Sequence, residues 1–313
     1  MQILVLGASG MAGHTIALYL HETGHDVTAL TRKPFDFLKN ITCDVTDFAT
    51  LERIIKDGKF DAIINCVGIL NQFAENNPDQ AILLNAYLPH FLAKIIKNIK
   101  TKLIQMSTDC VFSGRRGTYN EASIPDGETY YDRTKALGEV NDSRNLTFRN
   151  SIVGPDMYEN GIGLFNWFMK QNAPIGGYTK AVWTGVTTLT LAKAMDAALE
   201  TNLSGLYNLV NNDTISKYEL LGLFNKYFKD GKLQINENPD FICDKSLVNK
   251  GFISDKIRIF IKLQINENPD FICDKSLVNN RKDFPFIVPS YEIMVQEMHE
   301  WIISHKELYP HYF

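Results

Sequence analysis

Tyr131 and Lys135 stand four residues apart, a spacing that puts both side chains on one face of a helix. A free tyrosine titrates near pH 10, too high to exchange protons readily at neutral pH. A lysine ammonium beside it favours the phenolate, and a shift of three units requires about 4 kcal/mol of differential interaction. Earlier in the chain lie Ser107-Thr108-Asp109, and the Thr108 hydroxyl can hydrogen-bond the same substrate oxygen. With 13 tyrosines present, Tyr-x-x-x-Lys arises by chance. Its weight comes from position, on the helix that follows the strand ending in these hydroxyls. Thr108, Tyr131 and Lys135 are therefore the catalytic candidates, for proton transfer at a substrate oxygen.

A second cluster binds rather than reacts. Gly7-Ala8-Ser9-Gly10-Met11-Ala12-Gly13 follows the apolar run Ile3–Leu6 and opens a helix. Glycines at GxxGxxG spacing allow a tight turn and let backbone approach a pyrophosphate at a helix N-terminus. Strand before and helix after is the context that makes this weak pattern specific. A dinucleotide site is expected, with Gly7, Ser9, Gly10, Met11, Ala12 and Gly13 against the cofactor. The second strand ends Leu30-Thr31-Arg32-Lys33, where an acid would accept the ribose 2′-hydroxyl. Here Arg32 can fork onto a phosphate and Thr31 can donate a hydroxyl, which favours NADP(H) over NAD(H). Asp44, followed by Val45, suits either an acceptor for the adenine amino group or a turn acid. Cys66, Val67 and Gly68 follow Asn65 at the fourth strand end and either line the cofactor or simply close a buried strand. Mid-helix Asn85 either holds a group near the site or packs. Gly24 interrupts His21 and His25, so no metal site is expected.

The elements that position these residues are readable from periodicity. Strands are expected at Ile3–Leu6, Asp26–Leu30, a short stretch ending at Cys43-Asp44, Asp61–Asn65, Lys102–Ser107 and Leu146–Asn150. Helices fill the intervals, including a long one over Pro78–Lys100 with Leu84, Leu88, Phe91, Ile95 and Ile99 on one face. Alternating strands and helices imply right-handed βαβ crossovers and an α/β, doubly wound parallel sheet. Ligands of such sheets bind beyond the carboxyl ends of the strands, where every motif above falls. Residues 1–150 are read as the cofactor domain, with 183–210 returning to it. Residues 151–313, punctuated by Gly and Pro, form mainly a smaller carboxyl-terminal substrate lobe.

Composition bounds the function. The chain has 313 residues, is 45% hydrophobic and 22% charged, and carries a net charge of −4, which suits a folded core and gives no global reason to bind nucleic acid or an anionic membrane. Five cysteines without a CxxC pair argue against a disulfide scaffold or zinc ribbon. The opening MQILVLGASG reads as a strand and not a signal peptide, and no apolar run approaches the roughly 20 residues of a membrane span. A cytoplasmic protein is expected. One feature stands apart: KLQINENPDFICDKSLVN occurs at both Lys232–Asn249 and Lys262–Asn279. Structural repeats drift in sequence, so perfect identity points to a recent tandem duplication or a sequence error, tolerable as a surface excursion.

Together, Gly7–Gly13, Asn65, Ser107-Thr108-Asp109 and Tyr131…Lys135 resemble the extended short-chain dehydrogenase/reductase superfamily. Ser107–Gly114, Arg149–Gly154 and Trp183–Thr188 are similar to the dTDP-4-dehydrorhamnose reductases and their nucleotide-sugar relatives. The resemblance implies a Rossmann-like fold and NADPH-dependent reduction of the 4-keto group of a nucleotide-linked 6-deoxy sugar. It implies that Tyr131 protonates the alkoxide, that Thr108 shares its hydrogen bonding, and that Lys135 tunes Tyr131 and holds the nicotinamide ribose. Asp109, Cys110, Asn150 and Trp183 would contact the substrate, and a homodimer is the expected assembly. The rhamnose enzymes carry Tyr where Cys110 stands, which opens the choice of sugar and of dTDP or UDP carrier. The rival readings are an epimerase or dehydratase that retains NAD, and a non-catalytic regulatory subunit.

Overall fold

The computed structural model describes residues 1–211, 213–240, 277, 279 and 281–313. The strands are β1 (Gln2–Leu6), β2 (Asp26–Thr31), β3 (Lys39–Thr42), β4 (Ala62–Asn65), β5 (Lys102–Met106), β6 (Leu146–Arg149), β7 (Ile152–Val153), β8 (Ile175–Tyr178), β9 (Val182–Trp183), β10 (Val186–Thr187), β11 (Gly205–Asn208), β12 (Ile215–Ser216) and β13 (Ile235–Asn238). Seven of them form one parallel sheet in the order β11-β6-β5-β4-β1-β2-β3. The register sets Leu6 beside Leu30 and Asn65, and Asn65 beside Gln105. The loops that begin at Gly7, Arg32, Cys66 and Ser107 therefore leave the sheet along one edge.

Both faces of the sheet are covered, which is why its strands read as continuous apolar runs. Along β1 the side chains alternate: Ile3 and Val5 join one core cluster, Leu4 and Leu6 the other. Helix α1 (Met11–Glu22) lies on the first face; α2 (Phe48–Gly58) lies on the second. Between β4 and β5 come α3 (Asn71–Asn76), α4 (Pro78–Ala81) and α5 (Leu88–Ile95), and α6 (Tyr130–Leu137) precedes β6. Helices α7 (Leu164–Met169), α8 (Thr188–Leu199), α9 (Lys217–Phe228) and α10 (Tyr291–Ser304) follow. β11 joins the sheet beside β6, while α8 packs on α1. The three short pairs β7–β10, β9–β12 and β8–β13 lie outside the sheet. No helix among the described residues is long and apolar enough to cross a membrane.

The single long helix expected over 78–100 is interrupted. Ile82–Tyr87 forms a π-helical turn, and the Leu88 amide donates to the Leu83 carbonyl, five residues back. Pro89 gives the reason, since it has no N–H to offer the Asn85 carbonyl four residues earlier. That carbonyl then faces Gly138, where a Cβ would sit 1.8 Å from it, so α6 can lie close against the turn. The third strand also ends earlier than expected, at Thr42. Most of the duplicated segment lies outside the described residues; Lys232–Asp240 of its first copy and Leu277 and Asn279 of its second are described.

Candidate active site

A cavity of about 680 Å³ opens at the carboxyl ends of the sheet strands. One side is the glycine turn. Gly7 adopts φ +74°, its carbonyl accepts from the Gly10 amide at 3.0 Å, and a Cβ at Gly13 would lie 2.1 Å from that carbonyl oxygen. Gly10 begins α1 with no side-chain cap among the described residues, and Gly10, Met11, Ala12 and Gly13 of this helix start line the cavity. This cradle fits a dinucleotide pyrophosphate. The wall beside it is Cys66, Val67 and Gly68. The Asn65 side chain accepts from the Val67 amide at 3.1 Å and donates to Gln105 at 2.8 Å, which fixes the turn after β4. From the π-helical turn, the buried Asn85 amide accepts from the Ile69 amide at 2.8 Å and donates to its carbonyl at 2.9 Å. It also donates to Thr134 at 3.2 Å, joining this wall to α6.

The reactive groups come from β5 and α6. Thr108 caps a short 3-10 turn by accepting from the Cys110 amide at 3.2 Å, and its hydroxyl donates to Asp109 at 3.1 Å. A capping box between Thr129 and Asp132 starts α6 and sets the rotation of the helix. Tyr131 is then buried, with its phenol hydrogen-bonded to Thr108. Burial first, and then the nearby Cys110, push the Tyr131 phenol well above its ordinary range. Lys135 is also buried. Desolvation pulls its ammonium down to about 8, against the opposing pull of Glu139 and Cys66, and its Nζ donates to the Met106 carbonyl at 2.6 Å. The expectation that Lys135 draws Tyr131 toward the phenolate is therefore corrected: desolvation dominates, and Tyr131 is held as the neutral phenol. Cys66 is a neutral thiol, pushed up to about 12 by burial.

The structure brings Gly10, Met11, Ala12, Gly13, Cys66, Val67, Gly68, Thr108, Asp109, Cys110, Tyr131, Lys135, Asn150 and Trp183 to the one cavity. Gly7 shapes the turn beneath it; Ser9, Thr31, Arg32, Asp44 and Val45 lie outside its lining. Arg32 is exposed at the end of β2, close enough to Asp44 to help hold that carboxyl below its usual range, after the hydrogen bonds from Thr46. Val45 is buried. The Thr31 hydroxyl donates to the Lys33 carbonyl at 2.6 Å and accepts from Asn40 at 2.7 Å, so its single proton serves the loop. On the far side of the cavity Asn150 Nδ2 and Trp183 Nε1 are buried without a hydrogen-bond partner among the described residues. Gly185 lets the Trp183 indole lie flat, since a Cβ there would meet it at 2.3 Å.

Lys217, absent from the sequence reading, also lines the cavity, its Nζ 4.6 Å from the centre of the Trp183 ring. It follows Ser216, whose capping box with Glu219 begins α9 and was visible as a signal. Tyr178 and Asn238, from the paired β8 and β13, complete that wall.

The family model described as the RmlD substrate binding domain matches residues 1–233. The chain is 36% identical over 141 residues to a dTDP-4-dehydrorhamnose reductase of Mycolicibacterium smegmatis, covering 44% of this chain and 40% of that relative. The matched part thus spans less than half the length of this curated reductase. Methionine adenosyltransferase 2 subunit beta of Xenopus laevis is 28% identical over 239 residues, 69% of each chain. The fold is similar to a Bacillus anthracis dTDP-4-dehydrorhamnose reductase in complex with NADP, with TM-score 0.72, 19% identity and coverage of 97% of this chain and 99% of that one. A UDP-glucose 4-epimerase of Thermotoga maritima superposes with TM-score 0.74 at 16% identity, covering 97% and 99%.

Proposed function

We propose that this chain, which belongs to the RmlD substrate binding domain family, is an NADP(H)-dependent oxidoreductase that reduces the 4-keto group of a nucleotide-linked 6-deoxy sugar. The observation that carries this reading is the convergence of Thr108, Tyr131 and Lys135 on a cavity that also contains the glycine turn. The cofactor, when bound along that turn, supplies the hydride. Everything else is the work of the chain. Tyr131, kept protonated by burial, is positioned to give its proton to the substrate oxygen as negative charge develops there. Thr108 holds the same oxygen. Lys135, with a pKa of about 8, keeps its ammonium through neutral pH and orients the ribose beside the reacting carbon.

Substrate groups belong on the opposite wall. Buried polar groups are normally paired, so the orphan Asn150 and Trp183 donors are suited to sugar or nucleotide oxygens. Lys217 adds a cation suited to a diphosphate. Asp109 and Cys110 flank the oxygen to be reduced. Arg32 and the acid-free end of β2 favour the 2′-phosphate of NADP(H). We read 1–150 with 183–210 as the cofactor domain and the remainder of 151–313 mainly as the substrate lobe. We assign the protein to the cytoplasm, in keeping with the free thiols of Cys43, Cys66 and Cys110, and expect a second copy as its partner.

The test follows NADPH absorbance with dTDP- and UDP-linked 4-keto-6-deoxy sugars, with Tyr131→Phe run in parallel. Consumption that falls by about a thousandfold in the variant supports the reductase. Tight NADPH binding without turnover of either sugar overturns it. That result favours the regulatory reading, for which the match to methionine adenosyltransferase 2 subunit beta is the specific support.

A further inference from the structure

Glu139 is buried and takes no part in the mechanism above. One of its oxygens accepts from Arg149 Nε at 2.7 Å and from Ser107 Oγ at 2.7 Å; the other accepts from Arg149 Nη2 at 2.7 Å. The pair is almost fully enclosed, at 1% exposure for Arg149 and 6% for Glu139. A buried ion pair is weak evidence of stabilisation, because desolvation offsets much of the attraction. Its location says more. Glu139 comes four residues after Lys135, whose Nζ is fixed on the Met106 carbonyl next to Ser107. The end of β5 is therefore clamped twice, through Met106 to Lys135 on α6 and through Ser107 to Glu139 just beyond that helix, and Thr108 is the next residue. Arg149 ties the clamp to the end of β6, one residue before Asn150.

We propose that Glu139 is the positioning residue of this site: its carboxylate, held by Arg149, fixes Ser107-Thr108 beside the end of α6, next to Lys135. The proposal rests on the reductase reading for its kinetic consequence, though not for its electrostatic one. The titratable groups acting on Lys135 are Glu139 on its own segment and Cys66 at the end of β4, with Tyr131 one turn earlier on α6 and Arg149 paired to Glu139. Cys66 and Tyr131 are neutral at working pH, so Glu139 supplies the negative charge. Removing that charge makes the ammonium lose its proton at lower pH, and the alkaline limb of kcat moves down with it.

The experiment compares kcat against pH for the native chain, Glu139→Asp, Glu139→Gln and the double variant Glu139→Gln/Arg149→Met. The double variant matters because Glu139→Gln strands a buried guanidinium and can fail to fold. The expected result is an alkaline limb lowered by about one pH unit in Glu139→Gln, tenfold in proton affinity, lowered by a smaller step in the double variant, which loses a cation as well as the carboxylate, and returned to its native position in Glu139→Asp. A limb that stays in place in a folded Gln variant overturns the proposal. A ¹⁵N titration of lysine Nζ, assigned with Lys135→Met, reads the same shift without turnover. A native chain that reduces no 4-keto sugar sinks the reductase reading alone, and an unmoved Lys135 titration sinks this one.

The duplicated segment carries an independent inference. The first copy seats Ile235–Asn238 on β8, and Thr179 donates to the Asn238 carbonyl at 3.3 Å. The second copy seats Leu277, which is buried, bridges to Tyr119 and donates from its amide to Thr184 at 3.1 Å. The described contacts thus use the front of one copy and the back of the other. Thr179 and Thr184 are five residues apart, which bounds the gap between the two seats at about 18 Å of extended chain plus two hydrogen-bonded contacts of about 5 Å each. Within one copy the equivalent positions are nine residues apart, a reach of about 30 Å. We infer that one copy fills both seats and that a whole 30-residue period is dispensable. Deleting Phe241–Asp270 leaves an uninterrupted single copy. The shortened chain is expected to bind NADPH within threefold of the full chain and to melt at the same temperature or a few degrees higher, because fewer residues separate the two seats. Melting more than 10 °C lower, or loss of NADPH binding, overturns the inference.

Discussion

The two walls of the cavity are built by different means. The wall proposed for the cofactor is made of backbone and small side chains, each supported from behind: Gly13 against Gly7, Val67 on Asn65, Ile69 on Asn85. The wall proposed for the substrate is made of long side chains from short, separate elements, and it leaves the Asn150 and Trp183 donors buried and unpaired among the described residues. A wall of backbone recognises a shape common to many ligands and tolerates no added atom. A wall of unpaired donors recognises one arrangement of oxygens and can be altered one group at a time. Substitutions on the two sides are therefore expected to fail differently.

The largest effect belongs to the backbone wall. Gly13→Val places carbon atoms where a Cβ alone already lies 2.1 Å from the Gly7 oxygen, and the obstacle is backbone, which cannot swing aside. NADPH affinity is expected to fall by about a hundredfold or more, seen by fluorescence titration, with any folded fraction checked by circular dichroism. Unchanged NADPH affinity would mean that the turn is not the cofactor cradle.

Next comes the tie that anchors this turn to the carboxyl terminus. His14 is fully buried, with Nδ1 2.8 Å from the Gly10 carbonyl and Nε2 2.9 Å from the Tyr309 hydroxyl. Nδ1 donates, so Nε2 accepts from the tyrosine and the ring is neutral. Desolvation pulls its pKa from 6.5 down to about 4. The unfolded chain thus binds a proton that the folded chain refuses, and stability is full above about pH 6.5 and lost as pH falls toward 4. The loss by pH 4 amounts to about 3 kcal/mol. Urea midpoints measured across this range are expected to fall, and His14→Gln is expected to flatten the slope. An equally steep slope in that variant would assign the acid sensitivity to other groups.

The difference between the walls also explains what the sequence made legible. The cofactor wall lies at consecutive strand ends, and a parallel sheet brings all such ends to one edge, so period and order suffice to assemble Gly10–Gly13, Cys66–Gly68, Thr108, Tyr131 and Lys135. The π-helical turn at Asn85 was hidden, because apolar spacing over two turns hardly differs between helix types; Pro89 was the only mark it left. The pairing of Glu139 with Arg149 left no mark in the sequence, since only the folded chain brings the two together and encloses them. Lys217 reaches Trp183 through two-residue strands, which carry no periodicity at all. The pull of Lys135 on Tyr131 was misjudged because spacing reports proximity and says nothing of desolvation.

On the opposite wall, Trp183→Phe keeps an aromatic ring while removing the Nε1 donor together with the five-membered part of the indole. One uncharged hydrogen bond is worth about 1 kcal/mol, so KM for the nucleotide sugar is expected to rise about five- to tenfold. NADPH affinity should stay unchanged, which separates this wall from the other. A change in NADPH affinity with KM intact would move Trp183 to the cofactor side.

The smallest effect is expected at Arg32, a proposed cofactor contact that, like the opposite wall, uses a long side chain. It is exposed at the end of β2, and salt screens an exposed charge. Thr31 cannot reinforce it while its proton is committed to the Lys33 carbonyl. Arg32→Ser is expected to weaken NADPH binding about three- to tenfold at low salt, less at high salt, and to leave NADH binding as it was. Equal losses for both cofactors would mean that Arg32 supports the loop and does not read the 2′-phosphate. Preference for NADP(H) would then rest on the lack of an acid at this position, and Arg32→Asp, which restores one, would be the change that reverses it.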